Sequence, residues 1–357
     1  MHLRFLQTAP PQAEFLMGRN AWWILAFLAT SALVCLAVVA VLRSREAPSD
    51  LDALRGLGGQ ATTLTLDPPD DLNFAGELVP TRDEEVGERV DQELIKNIHL
   101  HSATFMNIKR AGRWKKLMTT ILLNHGVPAD FFYLCVAESH LTNASSPMGA
   151  KGFWQFIEAT AKNYGLEISE QVDERLDPIK STVAAARYLK DAYEVFGNWT
   201  LVAASYNMGI GGLQSQLERQ GVDNYYDLYL NRETSAYVFR VLAIKSILED
   251  PVRYGFLVRD NQLYKPLQFR TVVVEQTIPD LIAFAKAQGT TYKMLKVMNP
   301  WLLTDRLDVE SGPGKRKYEI HIPVEGSTQP GMGELMPRKP GEKAAPDSTF
   351  AGPDDTE

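Results

Sequence analysis

A mainly α-helical protein with a small βααβ unit near its C-terminal end follows from three observations. Between Asp83 and Leu248 apolar residues recur at three- and four-residue spacing, and strand patterns are almost absent. After about residue 267 the pattern switches to an extended run, two short helical stretches and a second extended run. Ahead of both lies a charge-free apolar stretch, residues 21–42. The chain has 357 residues, 45% hydrophobic and 23% charged, which suits one folded domain, a smaller module and tails.

The apolar stretch follows a 20-residue segment expected to be cytoplasmic. As a helix at about 1.5 Å per residue it reaches roughly 30 Å, enough for a bilayer core. Trp22 and Trp23 sit at one end, where interfacial aromatics belong. A cleaved signal would have an apolar core of roughly 7–15 residues, so this run reads as a retained transmembrane anchor. Val34 before Cys35 is a poor fit to a lipid-attachment signal. Arg4 and Arg19 precede the run and Arg43 and Arg45 follow it, so the positive-inside rule does not decide orientation. Residues 43–81 hold Gly, Pro, Asp and Thr without helical period and read as a flexible acidic linker.

From Asp83 the helical pattern begins. Val86, Val90, Leu94, Ile95 and Ile98, then Phe105, Ile108, Trp114 and Leu117, predict helices through Leu123. Gly126-Val127-Pro128 breaks them, and Pro128 suits the first turn of a helix over 131–138. Asp177-Pro178 opens another helix, which Gly197-Asn198 ends. A short helix over 199–206 is expected to close at the cluster Gly209, Gly211, Gly212. A further helix spans 233–248, stopped by Asp250-Pro251. The domain so defined covers 82–255. In the C-terminal unit, 267–325, residues 269–274 and 318–323 read as strands, and 278–285 and 292–300 as helices. From Gly326 to the end the chain is rich in Gly, Pro and charge and reads as a disordered tail.

Composition excludes several functions. A net charge of −7 gives no nucleic-acid footprint. The acidity lies in flanking runs such as Asp50-Leu51-Asp52, Asp67-Pro68-Pro69-Asp70-Asp71 and Asp83-Glu84-Glu85, which read as solvated segments. Cys35 and Cys135 do not make a disulfide framework, and Cys135 reads as a small buried hydrophobe. His99 and His101 lack metal-ligand spacing, and no phosphate-binding Gly loop occurs, so neither metal nor cofactor is expected.

The chemistry concentrates in four pieces: Ala137-Glu138-Ser139-His140; Ser146 through Phe156, a Gly-rich turn followed by an aromatic-and-amide strip; Ala204-Ser205-Tyr206-Asn207-Met208-Gly209; and Glu233-Thr234-Ser235-Ala236-Tyr237. In this order and spacing they resemble the lysozyme-like SLT domain of the lytic transglycosylases, glycoside hydrolase family 23. The likeness is greatest to the membrane-bound murein transglycosylase D type. The resemblance implies a lysozyme-like all-α catalytic domain that cleaves the MurNAc–GlcNAc β-1,4 bond of peptidoglycan and leaves a 1,6-anhydro sugar. Glu138 would act as general acid and then as base. Ser146, Gln155, Tyr206, Asn207, Glu233 and Tyr237 would contact substrate, with Tyr206 and Asn207 holding the carboxyl and the acetamido group. Ser205 stands where the family's motif has Ala. Trp154 is open between sugar stacking and core, and Ser139 reads as structural. A general acid needs its proton near neutral pH, which apolar burial supplies. The C-terminal unit resembles a divergent LysM carbohydrate-binding module, with Gln276-Thr277-Ile278-Pro279-Asp280 replacing the usual turn; a plain βααβ cap is the alternative. The implied partners are peptidoglycan strands and, through the N-terminal helix, the inner membrane, with the catalytic domain in the periplasm. Two further readings remain. A hydrolase resembling goose-type lysozyme would use water in place of the sugar hydroxyl. A membrane-tethered, non-catalytic peptidoglycan-binding protein would need no acid.

Overall fold

The computed structural model describes residues 66, 68–69, 71–310 and 315–324. The expected anchor at 21–42, the tail from 326 and most of the linker lie outside the described residues. Within them the chain is mainly helical, and no described helix is long and apolar enough to cross a membrane.

The expected linker ends earlier than 81. Strands β1 (Asn73–Phe74) and β2 (Glu77–Leu78) form an antiparallel hairpin. Its turn is Ala75-Gly76, both at positive φ (53° and 82°), as a two-residue hairpin requires. Phe74 is fully buried and meets the Phe131 ring edge-on at 5.1 Å. The Glu77 carboxylate accepts from Trp199 N (2.6 Å), Thr200 N (2.9 Å) and Thr200 Oγ1 (2.8 Å). It thereby supplies negative charge to a helix N-terminus. These long-range bonds order a stretch whose composition alone reads as loop.

Helix α1 (Glu84–His99) is capped by Asp83, whose side chain accepts from Val86 N. It buries Val86, Val90, Leu94 and Ile98. Leu100 breaks the helical path before α2 (His101–Asn124). Helix α3 (Phe131–Ser139) is apolar all round, the mark of a helix enclosed by others. Residues 131 to 136 are all buried. Pro128 opens the turn ahead of it rather than its first helical turn, since Phe131 N bonds to Pro128 O at 3.2 Å. Asp130 does not cap α3. Its Oδ2 accepts from Ala75 N (2.7 Å) and from Lys245 Nζ (2.6 Å), tying the hairpin to the last helix of the domain.

Helix α4 (Glu158–Asn163) is short. Helix α5 (Pro178–Phe196) starts and stops where the sequence places it, with Asp177 Oδ1 accepting from Ile179 N and Lys180 N and Gly197 at φ 62°. Helix α6 (Trp199–Met208) ends at Gly209 (φ 84°). Gly209 thus closes α6 as expected, but the other two glycines of the cluster do not prolong the break. Gly211 and Gly212 lie inside α7 (Ile210–Gln220), where buried Leu213 anchors the helix to the core. Glycine costs about 1 kcal/mol in a helix interior; these two lie in the first turn, and packing of the helix outweighs their cost. Helix α8 (Arg232–Glu249) buries most of its length and packs against α1, α3 and α6.

The C-terminal unit has the expected order: β3 (Phe269–Val274), α9 (Leu281–Ala287), α10 (Tyr292–Met298) and β4 (Tyr318–Pro323). The strands pair antiparallel from Phe269↔Pro323 to Val274↔Tyr318. Asp280 caps α9. Buried Asn299 joins the end of α10 to β4, donating to His321 O (2.7 Å) and accepting from His321 N (2.7 Å).

This unit is not free of the helical domain. Its core of Leu281, Leu295, Trp301, Leu307 and Ile320 also contains Val172, which lies between α4 and α5. Asp173 N bonds to Trp301 O (2.9 Å) and Leu303 N to Gln171 O (2.8 Å). The Gln171 amide exchanges bonds with Asp308, and Arg316 bridges Glu167 and Glu174. Replacing Val172 by Asp puts an unpaired carboxylate into this shared core. A loss of about 3 kcal/mol or more in unfolding free energy is expected, read from the urea midpoint. An unchanged midpoint would mean that the two parts do not share a core.

Candidate active site

Helix α3 carries Glu138 in its last turn, and the chain then reverses through His140 (φ 53°) and Leu141 (φ 55°), both left-handed. The Ser139 hydroxyl donates back into the helix, to Cys135 O (3.2 Å), rather than to the turn that follows. Cys135 is buried, with its thiol directed at Phe153 O.

Buried Tyr237 of α8 donates its hydroxyl to Glu138 Oε1. Burial is the main cause that pushes the Glu138 carboxyl up, to about 7. The Tyr237 hydrogen bond and the Arg240 charge pull it down, and the Glu233 charge adds to the rise. Tyr237 itself is held well above the usual phenol range, by burial first and by the neighbouring carboxylate. It therefore stays a donor. A carboxyl poised near 7 can both give and take a proton at neutral pH.

The other predicted residues fall into two groups. Tyr206 and Asn207 sit at the end of α6, on the side of Glu138. The Tyr206 hydroxyl donates to Trp154 O (2.8 Å), so the bond to the acid belongs to Tyr237 instead. Asn207 Oδ1 accepts from Thr234 Oγ1 (2.9 Å), which leaves its NH2 for another acceptor. Glu233 is mostly exposed and pairs with Arg240 at 3.0 Å.

Ser146 and Gln155 build the Gly-rich loop. Ser146 Oγ accepts from Ala150 N (3.0 Å). Gln155 Nε2 donates to Ala144 O (3.0 Å) and Gly152 O (2.7 Å). Its donors are spent in the loop, so only its carbonyl remains for a ligand. Trp154 is resolved as core: it is fully buried, and its Nε1 donates to Thr182 Oγ1 (2.9 Å).

Sequence reasoning missed three contributors. Arg175 donates to Gly149 O (3.0 Å) and Phe156 O (3.2 Å), clamping both ends of the loop. Asp173 holds the guanidinium through two bonds of 2.9 and 2.8 Å. Arg240 stands between Glu233 (3.0 Å) and Glu93 (3.9 Å), where its charge reaches Glu138. Its spacing offered one signal, since it lies three residues after Tyr237 and shares that face of α8. Among the described residues no cluster of His, Cys, Asp or Glu is arranged to hold a metal ion.

A half-buried acid at a helix end is thus held by a tyrosine and flanked by a glycine loop that an arginine braces. Residues 123–228 match the family model of the Transglycosylase SLT domain. Residues 270–326 match that of the Soluble lytic transglycosylase C-terminal LysM-like domain. The two matches follow one another along the chain. The membrane-bound lytic murein transglycosylase D of Escherichia coli K12 is 30% identical over 183 residues, 50% of this chain and 39% of that protein. The chain therefore spans only about two fifths of that relative's length. A protein named for tributyltin chloride resistance in Alteromonas is 30% identical over 119 residues, 33% of this chain and 58% of its own. Two solved structures are more remote. The lytic transglycosylase Slt of Pseudomonas aeruginosa has 20% identity and a TM-score of 0.32, covering 52% of this chain and 36% of its own. The 70 kDa soluble lytic transglycosylase of E. coli has 15% identity and a TM-score of 0.35, covering 65% and 45%.

Proposed function

We propose that this protein is a peptidoglycan lytic transglycosylase with Glu138 as its acid and base. The observation that carries the reading is a single carboxyl, raised to about 7 and held by Tyr237, inside a segment that matches the SLT domain. Protonated Glu138 donates to the glycosidic oxygen between MurNAc and GlcNAc as the bond to the anomeric carbon breaks. The C6 hydroxyl oxygen of the same MurNAc then attacks that carbon, and its proton passes to the Glu138 carboxylate. The acid is regenerated and a 1,6-anhydro ring closes without water. This differs from glycosidases that need two carboxylates across the bond. Tyr237 orients the carboxyl. The carbonyl of Gln155 and the NH2 of Asn207 are suited to an N-acetyl sugar, and Ser146, Tyr206 and Glu233 complete the substrate contacts of this reading. Mass spectrometry of digested peptidoglycan tests the reading. Anhydro-muropeptides are expected; products heavier by one water would establish the lysozyme-type hydrolase.

The pH profile follows from the raised carboxyl. Turnover starts from protonated Glu138, so the rate should fall as pH rises through about 7. Tyr237→Phe removes a bond that favours the ionised form. The fall should then move to higher pH, while the plateau rate drops roughly tenfold or more through lost orientation. A basic limb that stays in place would separate Tyr237 from Glu138.

The domain limits 82–255 and 267–325 form part of the proposal, with the LysM-like unit adding contacts to peptidoglycan strands. Residues 21–42 would anchor the protein in the inner membrane with the SLT domain in the periplasm. The support is their length and lack of charge, together with a relative described as membrane-bound. N-terminal sequencing of the native protein should find the anchor retained. A mature start near Val41, or a lipid-modified Cys35, would refute it.

A further inference from the structure

A cavity of about 400 Å³ lies where the helical domain meets the LysM-like unit, and neither Glu138 nor Tyr237 lines it. Helix α2 contributes Arg110, Arg113, Trp114 and Leu117; β4 and α10 close the far side. The connector before β3 forms a third wall and is strapped to α2. Tyr264 N bonds to Lys109 O (3.0 Å), and Leu263 packs so closely on Gly112 that an added Cβ would come within 2.8 Å of it. The walls are mainly apolar. Their size, position between two packed parts and few polar groups are those of a small-molecule site.

The polar groups point to the charge of the ligand. Arg110 spends one N–H on His140 O (3.0 Å) and Arg113 one on Lys265 O (3.1 Å). Among the described residues neither guanidinium forms an ion pair with a carboxylate. Arg113 is half-buried with its guanidinium over the Tyr264 ring (5.3 Å), and that burial pushes it below the usual guanidinium range, with Tyr264 acting the other way. The one carboxylate at the wall, Asp177, is already engaged by Ile179 N and Lys180 N, and by the charges of Lys180 and His321. Both guanidinia line the cavity and keep further N–H groups beyond these bonds, and an arginine fork suits a carboxylate.

We propose that this cavity binds one small amphipathic carboxylate, with its acid on Arg113 and Arg110 and its apolar body against Trp114 and Leu117. The site is separate from the cleavage centre, yet its wall includes Leu141, three residues after Glu138, and Phe153, whose carbonyl meets the Cys135 thiol. An occupant would therefore touch both ends of the loop that follows the acid.

The test is ¹⁹F NMR on the purified full chain with 4′-fluorobiphenyl-4-carboxylate as probe and the neutral 4′-fluorobiphenyl-4-methanol as control. The carboxylate should bind saturably and the alcohol at least roughly tenfold more weakly. Arg113→Gln should weaken the carboxylate by a similar factor, and Leu117→Trp should fill the cavity and remove binding. Arg113→Gln changes a partly exposed side chain, so it decides the matter even if the bulkier variant misfolds; circular dichroism checks both. No binding to the wild type, equal binding of the alcohol, or unchanged affinity in Arg113→Gln would overturn the proposal.

Discussion

Glu138→Gln is expected to abolish glycan cleavage and at the same time to stabilise the protein above neutral pH. The amide keeps the shape and can still accept from Tyr237, but it cannot donate and recover a proton. General acid–base work accounts for roughly 10²–10⁴ in rate, so the loss should be at least of that size. The stability effect follows from linkage. The Glu138 carboxyl moves from 4.5, its ordinary value, to about 7 in the fold. The folded state thus binds a proton that the unfolded state has lost between these values. Its contribution is fully present below pH 4.5 and is lost as pH rises through 7. The glutamine variant carries no such loss, so its melting temperature should exceed the wild type's at pH 8 and match it near pH 4. The gain is on the order of 1–3 kcal/mol. Near-wild-type turnover would remove Glu138 from the mechanism. Equal stabilities at pH 8 would show that its carboxyl is not raised.

Gly152→Ala should be the most damaging single methyl group in the SLT domain. Gly152 sits at φ 82°, and a Cβ there would lie 1.9 Å from Arg175 O. That neighbour is backbone, clamped by its own side chain to Gly149 and Phe156, so it cannot move aside alone. A cost on the order of 4 kcal/mol or more is expected, with loss of activity because the loop carries Ser146 and Gln155. Gly149→Ala supplies the comparison. It has the same φ of 82° but nothing within 4 Å of an added Cβ, so only the backbone penalty of about 1–2 kcal/mol applies. Urea midpoints of the two variants decide this, and equal costs would contradict the close approach.

Much of the helical domain was legible because its signals are local. The apolar run of α3, Asp177 before α5 and Gly197 after it each act within a few residues of themselves. The hairpin at 73–78 was not legible. Two-residue strands carry no periodicity, and what orders them, Glu77 on α6 and Phe74 on α3, comes from far along the chain. The same limit governs the site. Glu138, Tyr206, Asn207 and Tyr237 were recognisable as pieces of a motif. Which tyrosine reaches the acid depends on how α6 and α8 pack, and that placed Tyr237 on Glu138 and Tyr206 on a backbone carbonyl. Gln155 shows a related gap: an amide in sequence offers four hydrogen bonds, and only the folded loop shows that its donors are used. Gly211 and Gly212 read as breakers because local propensity carries no trace of Leu213, which holds their helix to the core.

The segment from Glu167 to Asp177 lends Val172 to one core and, through Asp173 and Arg175, braces the glycine loop of the other. Melting of either part must disturb the same eleven-residue stretch, so the pair should denature in one cooperative step rather than two. The arrangement also limits recombination. A chimera spliced at the connector near residue 266 would carry a foreign module without the Val172 side chain shaped to it, and would leave that side chain bare on its own side. Exchange of modules between relatives would succeed only when this stretch travels with them, so the unit of inheritance is longer than the LysM-like region itself.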